Sequence, residues 1–353
     1  MRILVATDAW HPQINGVVRT LTALERAGAA LGASFTFITP ADFPTVPLPG
    51  YPEIPLAVPN PRAVARLVKQ AGADAIHIAT EAPVGYFVRR HCLAHGLPFT
   101  TSFHTRLPDY VSARLPIPAQ WTWNWLRRFH NAGNGVMAAT TGLAAELAAR
   151  GFRNVMLWPR GVDTGLFRPR ADADLGLPRP VFLSVGRLAV EKNLEAFLSL
   201  DLPGTKVVAG DGPARTELQA RFPDAVFLGA QVGEALARTF AAADVFVFPS
   251  RTDTYGLVLL EALASGLPVA AFPVNGPADV IGSARVGVLA EDLRAAALLA
   301  LDVPREACRA FALRHSWEES ARQFLENIGR AGTGPCLAEA GVTSSDGCTS
   351  VAA

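Results

Sequence analysis

Two acidic residues at either end of a short segment could together hold a ligand rich in hydroxyl groups. Asp253 and Glu261 are eight positions apart, with Gly256 between them, and they follow the strand-like apolar run 244–248. If the run from Gly256 is helical, its first backbone N–H groups are unpaired and favour an anion such as phosphate. Eight residues of helix span about 12 Å. The two acids could then contact a sugar and a ribose that are joined by diphosphate, although an ordinary surface turn would contain the same residues.

Three positions elsewhere favour the ligand. Gly16 is predicted to start a helix, where the missing Cβ lets a phosphate approach the backbone; a plain helix-start glycine is the alternative. Arg187 follows a predicted strand, and Lys192 lies at the start of the next helix, where a cation opposes the helix dipole. Two cations at the carboxyl end of a strand are typical of a diphosphate site, with a solvated pair as the alternative.

His104 is a fourth position, in the sequence Ser-Phe-His-Thr-Arg at the end of a predicted strand. A histidine there can donate a hydrogen bond to a sugar hydroxyl or stabilise a transition state. A hydrogen-bonded core histidine is the alternative. No GxGxxG motif follows any predicted strand, so a dinucleotide site is disfavoured.

The charge is unevenly distributed along the 353 residues, although the net charge is only +1. Residues 1–165 contain 15 Lys and Arg against 9 Asp and Glu, and the remainder contains 17 against 22. A basic half favours an anionic partner, either a membrane surface or an acidic acceptor, over nucleic acid, because the basic residues form no nucleic-acid-binding motif. A solvated basic surface without a partner is the alternative.

No apolar run approaches the roughly 18 residues that span a membrane. The N-terminus is expected to form a buried strand rather than a signal peptide. The four cysteines have no metal-like spacing, which favours a reducing cytosol.

Short β-branched and aromatic runs alternate with Ala- and Leu-rich helical patterns, which indicates parallel sheets covered by helices. The fold class is therefore α/β, with two facing Rossmann-like domains and a ligand site in the cleft between them. The predicted strands are 3–7, 35–39, 75–79, 99–103, 135–139 and 155–158, then 181–185, 206–209, 225–228, 245–248, 269–272 and 286–289. The predicted organisation is a first domain at 1–165, a second at 166–315, a helix at 316–330 that crosses back to the first domain, and a disordered tail at 331–353.

Two further segments stand out. Residues 40–61 contain eight prolines and are predicted to be an extended connector rather than helix or sheet. Residues 117–130 combine three tryptophans with two arginines, so a helix there could lie on a membrane interface. Trp121 and Trp125, at helical spacing, are more typical of a core.

Taken together, the motifs resemble family 4 of the retaining glycosyltransferases, which have the GT-B fold. The resemblance covers about residues 1–330 and is greatest to bacterial GDP-mannose-dependent α-mannosyltransferases and diacylglycerol glycosyltransferases, which make glycolipids. The segments that carry it are GVVRT (16–20), ATEAPVG (79–85), SFHT (102–105), RGVDTGLF (160–167), GRLAVEKN (186–193), GDGP (210–213) and SRTDTYGLVLLEALASGLPVA (250–270).

The resemblance implies a role for each matching residue. Gly16, from the acceptor-side first domain, would contact the donor diphosphate, and Arg187 and Lys192 would neutralise it. Glu261 would bind the ribose hydroxyls. The second domain would therefore bind the nucleotide sugar.

The remaining assignments concern the transferred sugar. Asp253 would contact its hydroxyls, although the family usually has Glu at this position and Asp is shorter. His104 would lie near the same sugar, so His104, Asp253, Arg187 and Lys192 are the candidate catalytic residues. Sugar and phosphate would also be held by the backbone of Thr254, Tyr255, Gly256 and Leu257.

The resemblance implies a retaining transfer without an enzyme nucleophile, in which the leaving phosphate takes the proton of the acceptor hydroxyl. No Asp-x-Asp motif ends a strand, so no essential metal or other cofactor is expected. The expected enzyme is cytoplasmic, lies at the inner face of the membrane through its first domain and takes a lipid acceptor such as diacylglycerol. A nucleotide-sugar-binding protein without transferase activity and a nucleotide-sugar epimerase of related fold are the alternatives.

Overall fold

The chain forms two parallel sheets of six strands, each sheet covered by helices. The structure, a computed structural model, describes residues 1–13, 15–48, 51–108, 118–252 and 255–332. All twelve predicted strands are present, and each lies within one residue of its predicted bounds. The predicted fold class is confirmed. Asp253, Thr254 and nearly all of the predicted tail lie outside the described residues.

The secondary-structure elements are numbered in chain order. The strands are β1 (Arg2–Ala6), β2 (Ser34–Ile38), β3 (Thr45–Leu48), β4 (Tyr51–Ala57), β5 (Ala75–Ile78), β6 (Thr100–Ser102), β7 (Gly135–Ala138), β8 (Val155–Leu157), β9 (Val181–Val185), β10 (Thr205–Ala209), β11 (Val226–Gly229), β12 (Val245–Phe248), β13 (Val269–Ala271) and β14 (Gly287–Leu289). The helices are α1 (Gly16–Ala30), α2 (Pro61–Ala71), α3 (Pro83–Ala94), α4 (Ala119–Asn131), α5 (Thr141–Ala149), α6 (Leu194–Leu198), α7 (Arg215–Arg221), α8 (Gly233–Ala242), α9 (Leu257–Ala264), α10 (Pro277–Ile281), α11 (Leu293–Ala300), α12 (Arg305–Ala312) and α13 (Trp317–Gly332).

The first sheet has the strand order β2-β1-β5-β6-β7-β8. Helices α2, α3 and α4 share a hydrophobic core with one of its faces. The other face packs against α1 and against α13, whose Phe324 lies in the same core as Trp158. Trp158 Nε1 also donates to Ser320 Oγ at 3.1 Å, and Asn327 Nδ2 donates to Leu157 O at 2.8 Å. The C-terminal helix of the described chain is therefore part of the first domain's packing.

The second sheet has the strand order β11-β10-β9-β12-β13-β14. Its central strand β12 shows why the apolar runs form strands: all four residues are buried, and they alternate between two cores. Phe246 and Phe248 enter one core, whereas Val245 and Val247 enter the other. A strand covered on both faces is predominantly apolar, as is typical of parallel sheets.

The proline-rich segment departs from the prediction of an extended connector. Within 40–61, β3 and β4 pair as an antiparallel hairpin in which Pro47 lies opposite Pro55. Proline is tolerated on the edges of a two-stranded ribbon, where its missing N–H need not pair. The prediction was wrong because the prolines lie where no ladder hydrogen bond is required.

Helix α4 exposes the tryptophans that the sequence favoured as core residues. Trp123 is 6% exposed and packs in a core, whereas Trp121 is 70% and Trp125 is 41% exposed. Trp123 is held by the ring of Phe103, which stacks on it at a centroid distance of 5.8 Å. Among the described helices, none is long and apolar enough to cross a membrane.

Candidate active site

The carboxyl ends of the two sheets face each other across the domain junction. Thr140, which follows β7, donates through Oγ1 to Asp279 Oδ2 of α10 at 2.6 Å. Gly16 at the start of α1 lies near Leu257 at the start of α9: a Cβ added to Gly16 would be 4.0 Å from Leu257 Cδ1. Open α/β sheets bind ligands at the carboxyl ends of their strands. Both domains therefore present their ligand-binding edges to one cleft.

Helix α9 begins at this edge, one residue later than predicted. Gly256 precedes it with a φ of +78°, a conformation that favours glycine. A Cβ there would also lie 3.2 Å from both Phe248 Cζ and Leu259 Cδ1. Because Gly256 has no side chain, the first N–H groups of α9 receive no side-chain cap from their N-cap residue, although Leu259 N donates to Gly256 O at 2.9 Å. Binding of an anion at this helix start stays a prediction.

Glu261 lies one turn into α9 and is only 3% exposed. Its Oε1 forms an ion pair with Arg19, which α1 contributes from the first domain. Its Oε2 is buried and has no hydrogen-bond partner among the residues that the structure describes. A buried carboxylate oxygen without a donor costs roughly 1–3 kcal/mol or more. A ligand that donates hydrogen bonds, such as a pair of hydroxyl groups, would remove this penalty.

Arg187 and Lys192 lie on the loop that follows β9, the neighbour of β12. Lys192 ends a 3-10 turn (Val190–Lys192) rather than starting a regular helix, and α6 behind it has five residues. Asn193 Nδ2 donates to Pro249 O at 3.1 Å, and so joins this loop to the end of β12. The two segments that the sequence linked functionally are therefore adjacent.

The start of α1 differs from the prediction in one respect. Asn15 Oδ1 accepts from the N–H groups of Val17 and Val18, both at 3.0 Å. These amides are therefore not open to a phosphate. Gly16 remains at the cleft through its proximity to Leu257, while the charged group that α1 presents there is Arg19. Arg19 belongs to the motif GVVRT, but the sequence pattern predicts no role for it.

His104 follows β6 and is held by the first domain. Arg160 Nη2 lies 3.3 Å from His104 Nδ1, and the rings of His104 and Trp158 meet edge to face at 5.7 Å. Burial lowers the pKa of His104 well below 6.5, and the charge of Arg160 lowers it further. A guanidinium can only donate, so Nδ1 accepts and the proton of the neutral ring lies on Nε2. His104 is therefore prepared to donate from Nε2.

Arg160 is a site residue that the sequence analysis left without a role, although the motif RGVDTGLF begins with it. It is 4% exposed, and its Nη1 donates to Trp158 O at 2.6 Å. Burial lowers its pKa to about 10. The buried phenol of Tyr255, from the second domain, contacts the backbone of Arg160, and burial raises the pKa of that phenol. Arg160 thus connects His104 to the segment before α9.

The structure places eight of the ten predicted site residues. Seven of them lie along the cleft edges as described above, and Tyr255 faces Arg160 with its side chain. The position of the Asp253 carboxylate relative to Glu261 stays a prediction, as does any contact of Thr254.

Comparisons with known proteins agree with the resemblance of the motifs. Residues 14–166 match the family model Glycosyltransferase Family 4, and residues 179–301 match Glycosyl transferases group 1. A GDP-mannose-dependent alpha-mannosyltransferase from Mycobacterium tuberculosis is 32% identical over 316 residues, covering 82% of this chain and 83% of the relative. The alpha-monoglucosyldiacylglycerol synthase of Streptococcus pneumoniae is 28% identical over 317 residues, covering 77% and 71% respectively.

Among solved structures, Anabaena Alr3699/HepE in complex with UDP and glucose has a similar fold. Its TM-score is 0.71 at 16% identity, and the match covers 94% of this chain and 100% of that one.

Proposed function

The chain belongs to glycosyltransferase family 4 and has the GT-B fold, and we propose that it transfers a hexose or hexuronic acid, with retention, to a membrane lipid. It is a glycosyltransferase that uses a nucleotide sugar. The proposed donor is GDP-mannose or a UDP-sugar, and the proposed acceptor is a lipid hydroxyl such as that of diacylglycerol. The observation that carries the proposal is the buried Oε2 of Glu261, which has no hydrogen-bond partner among the described residues and lies one turn beyond the start of α9.

In this proposal the ribose hydroxyls donate to Glu261, and the diphosphate lies at the start of α9. Arg187 and Lys192 stabilise the negative charge that grows on the diphosphate as the sugar bond breaks. His104 donates from Nε2 to a hydroxyl of the transferred sugar, and Asp253 accepts from others. Orientation of the sugar and stabilisation of the leaving group together supply the catalysis.

The acceptor hydroxyl attacks the anomeric carbon on the face from which the diphosphate leaves. The leaving phosphate takes the proton of that hydroxyl, so no side chain has to act as the general base. The counter-charges are Arg187, Lys192 and the amides at the start of α9, and for this reason no divalent cation is required.

The lipid acceptor is supported by the helices on one face of the first sheet. Helices α2, α3 and α4 contain seven Lys and Arg and no Asp or Glu. The exposed rings of Tyr86, Trp121 and Trp125 belong to the same helices. Arg89 Nε donates to Phe129 O at 2.9 Å, so α3 and α4 form one continuous surface. Cations interspersed with exposed aromatic rings are suited to an anionic bilayer.

A donor and acceptor screen tests the transferase proposal. Purified protein is incubated with radiolabelled UDP- and GDP-sugars, with and without diacylglycerol in vesicles, and the lipid products are separated. Labelled lipid formed from one donor supports the proposal. Conversion of the donor without an acceptor would indicate an epimerase, and donor binding without any turnover would indicate a binding protein; either result refutes it.

Vesicle flotation tests the membrane surface separately. Arg127 is a poor choice for substitution because its Nη1 lies 3.4 Å from Arg150 O. The exposed pair Arg90→Glu with Arg128→Glu should weaken binding to anionic vesicles about thirtyfold or more, at about 1 kcal/mol per basic residue. The control, Arg26→Glu with Arg322→Glu, makes the same charge change on exposed residues of the opposite face. Equal losses in both variants would contradict a defined docking face.

A further inference from the structure

Arg19 is the only charged residue in the first turn of α1, and it points across the cleft to Glu261 of the second domain. A cation in the first turn of a helix opposes the helix dipole, so helix stability does not favour it there. Burial also lowers the pKa of Arg19. The guanidinium is therefore held in an unfavourable position that a contact in the cleft has to offset.

The residues near Arg19 show which part of the proposed donor it would contact. Gly16, one turn before Arg19, approaches Leu257, the first residue of α9. Glu261 lies four residues further along α9, a rise of about 6 Å. Helix α1 thus contacts α9 both where the diphosphate is proposed to lie and where the ribose is proposed to bind. Arg19 lies beside the link between ribose and diphosphate.

On the basis of the proposed function, we propose that Arg19 is a further donor-binding residue. Arg19 orients Glu261 toward the ribose, and it binds the nucleoside diphosphate from the side of the first domain. Guanidinium has five N–H donors, so contact with Oε1 of Glu261 leaves others for a phosphate oxygen. The Arg19 charge also offsets that of Glu261, which would otherwise repel the diphosphate. The second oxygen, Oε2, has no partner among the described residues and is left for the ribose hydroxyls.

The inference predicts that the effect of Arg19 grows with the number of phosphates. Calorimetry compares GDP, GMP and guanosine, and the matching uridine series, on the full chain. Arg19→Gln should weaken binding of the preferred diphosphate at least tenfold and binding of its nucleoside less than about threefold. Arg19→Lys keeps the positive charge but lacks the planar set of N–H donors of a guanidinium. Its affinity for the diphosphate should therefore lie between those of wild type and Arg19→Gln. The control is Arg26→Gln, an exposed residue of the same helix, which should bind as wild type.

Further arms separate a failure of this inference from a failure of the proposed function. Glu261→Gln should weaken binding of the nucleoside and of the diphosphate to the same extent. In the double variant, the losses of binding free energy from Glu261→Gln and Arg19→Gln should not add, because the two side chains interact. If Arg19→Gln binds the diphosphate as wild type while Glu261→Gln does not, the inference about Arg19 is wrong. If Glu261→Gln also binds normally, or wild type binds neither nucleotide, the proposed donor site is wrong as well.

A structural explanation has its own signature. Equal losses for nucleoside, monophosphate and diphosphate in Arg19→Gln, accompanied by a lowered melting temperature, would mean that Arg19 only maintains the domain arrangement. That result would overturn the inference.

Discussion

Acid should destabilise the first domain, because His77 is buried there as a neutral ring. Its Nδ1 and Nε2 atoms each lie 2.8 Å from a hydroxyl, on Thr100 and Ser102 respectively. Burial, assisted by the charge of Arg160, lowers the pKa of His77 from 6.5 to about 3. In the unfolded chain the same ring would take up a proton near pH 6.5.

The sign and size of the effect follow from this difference in pKa. Between about pH 6.5 and pH 3 the unfolded state binds a proton on His77 that the folded state does not. The free energy of unfolding therefore carries no penalty from His77 above about pH 6.5, and it falls by about 1.4 kcal/mol for each pH unit below that value. From pH 7.5 to pH 5.5 the loss from this residue is about 1.4 kcal/mol. His104, whose pKa is also lowered, adds a loss of the same sign.

Urea unfolding at pH 7.5 and pH 5.5, followed by tryptophan fluorescence, measures this loss. The first domain contains five of the six tryptophans, and the sixth, Trp317, packs against it. His77→Gln retains hydrogen-bonding groups but does not titrate. It should be less stable than wild type at pH 7.5, yet lose about 1.4 kcal/mol less on acidification. Titratable groups that wild type and His77→Gln share contribute equally to both losses of stability. Equal losses between pH 7.5 and pH 5.5 in the two proteins would therefore refute the reasoning.

The other predictions concern the donor site. Arg187→Ala and Lys192→Ala should each lower transfer about tenfold or more without changing the melting temperature, since each removes a charge-assisted contact of about 1.5–3 kcal/mol; a wild-type rate in either variant would remove the assignment. In calorimetry with free UDP or GDP, Glu261→Gln should weaken binding about tenfold, whereas Asp253→Asn should act on the donor sugar and leave nucleotide affinity intact. Similar losses of nucleotide affinity would contradict this division of roles. Transfer should survive excess EDTA, and complete loss that magnesium or manganese restores would show a metal requirement.

Much of the fold was predictable because most of the parallel strands that are buried on both faces are rich in apolar residues. The run Val245–Phe248 has no polar residue and ends at a turn, and its predicted bounds are the observed ones. The proline hairpin was not predictable in the same way. Pro47 and Pro55 fit there because β3 and β4 pair with each other and, in the part of the chain that the structure describes, with no third strand.

The tryptophans of α4 show a second limit of local patterns. At about 100° per residue, Trp123 lies on the opposite side of the helix from Trp121 and Trp125. One of these two sides of α4 had to be exposed to solvent, and the i, i+4 spacing of Trp121 and Trp125 favoured burial of those two residues. The stacked ring of Phe103, which follows β6, determines that Trp123 is the buried one. Contacts of this kind depend on which elements meet, so the sequence pattern of one helix does not reveal them.

The same limit applies to the site. The positions of Arg187, Lys192 and Glu261 could be predicted because each lies near the end of a recognisable strand or within the helix that follows one, whereas their roles stay predictions. Arg19 and Arg160 could not, since their roles depend on contacts with Glu261 and with His104, which are far away in the chain. An arginine whose partners come from distant parts of the chain carries no local sequence signature.

The sequence shows that the first half of the chain is basic, but only the placement of the helices shows where its basic residues lie. Residues 1–165 have a surplus of six positive charges, whereas α2, α3 and α4 alone contain seven Lys and Arg and no acid. Outside these three helices, the first half is therefore close to neutral. Because all three helices cover the same face of the first sheet, seven basic residues lie on one side of this domain, beside exposed aromatic rings. This concentration of cations and aromatic rings supports the proposed anionic membrane partner.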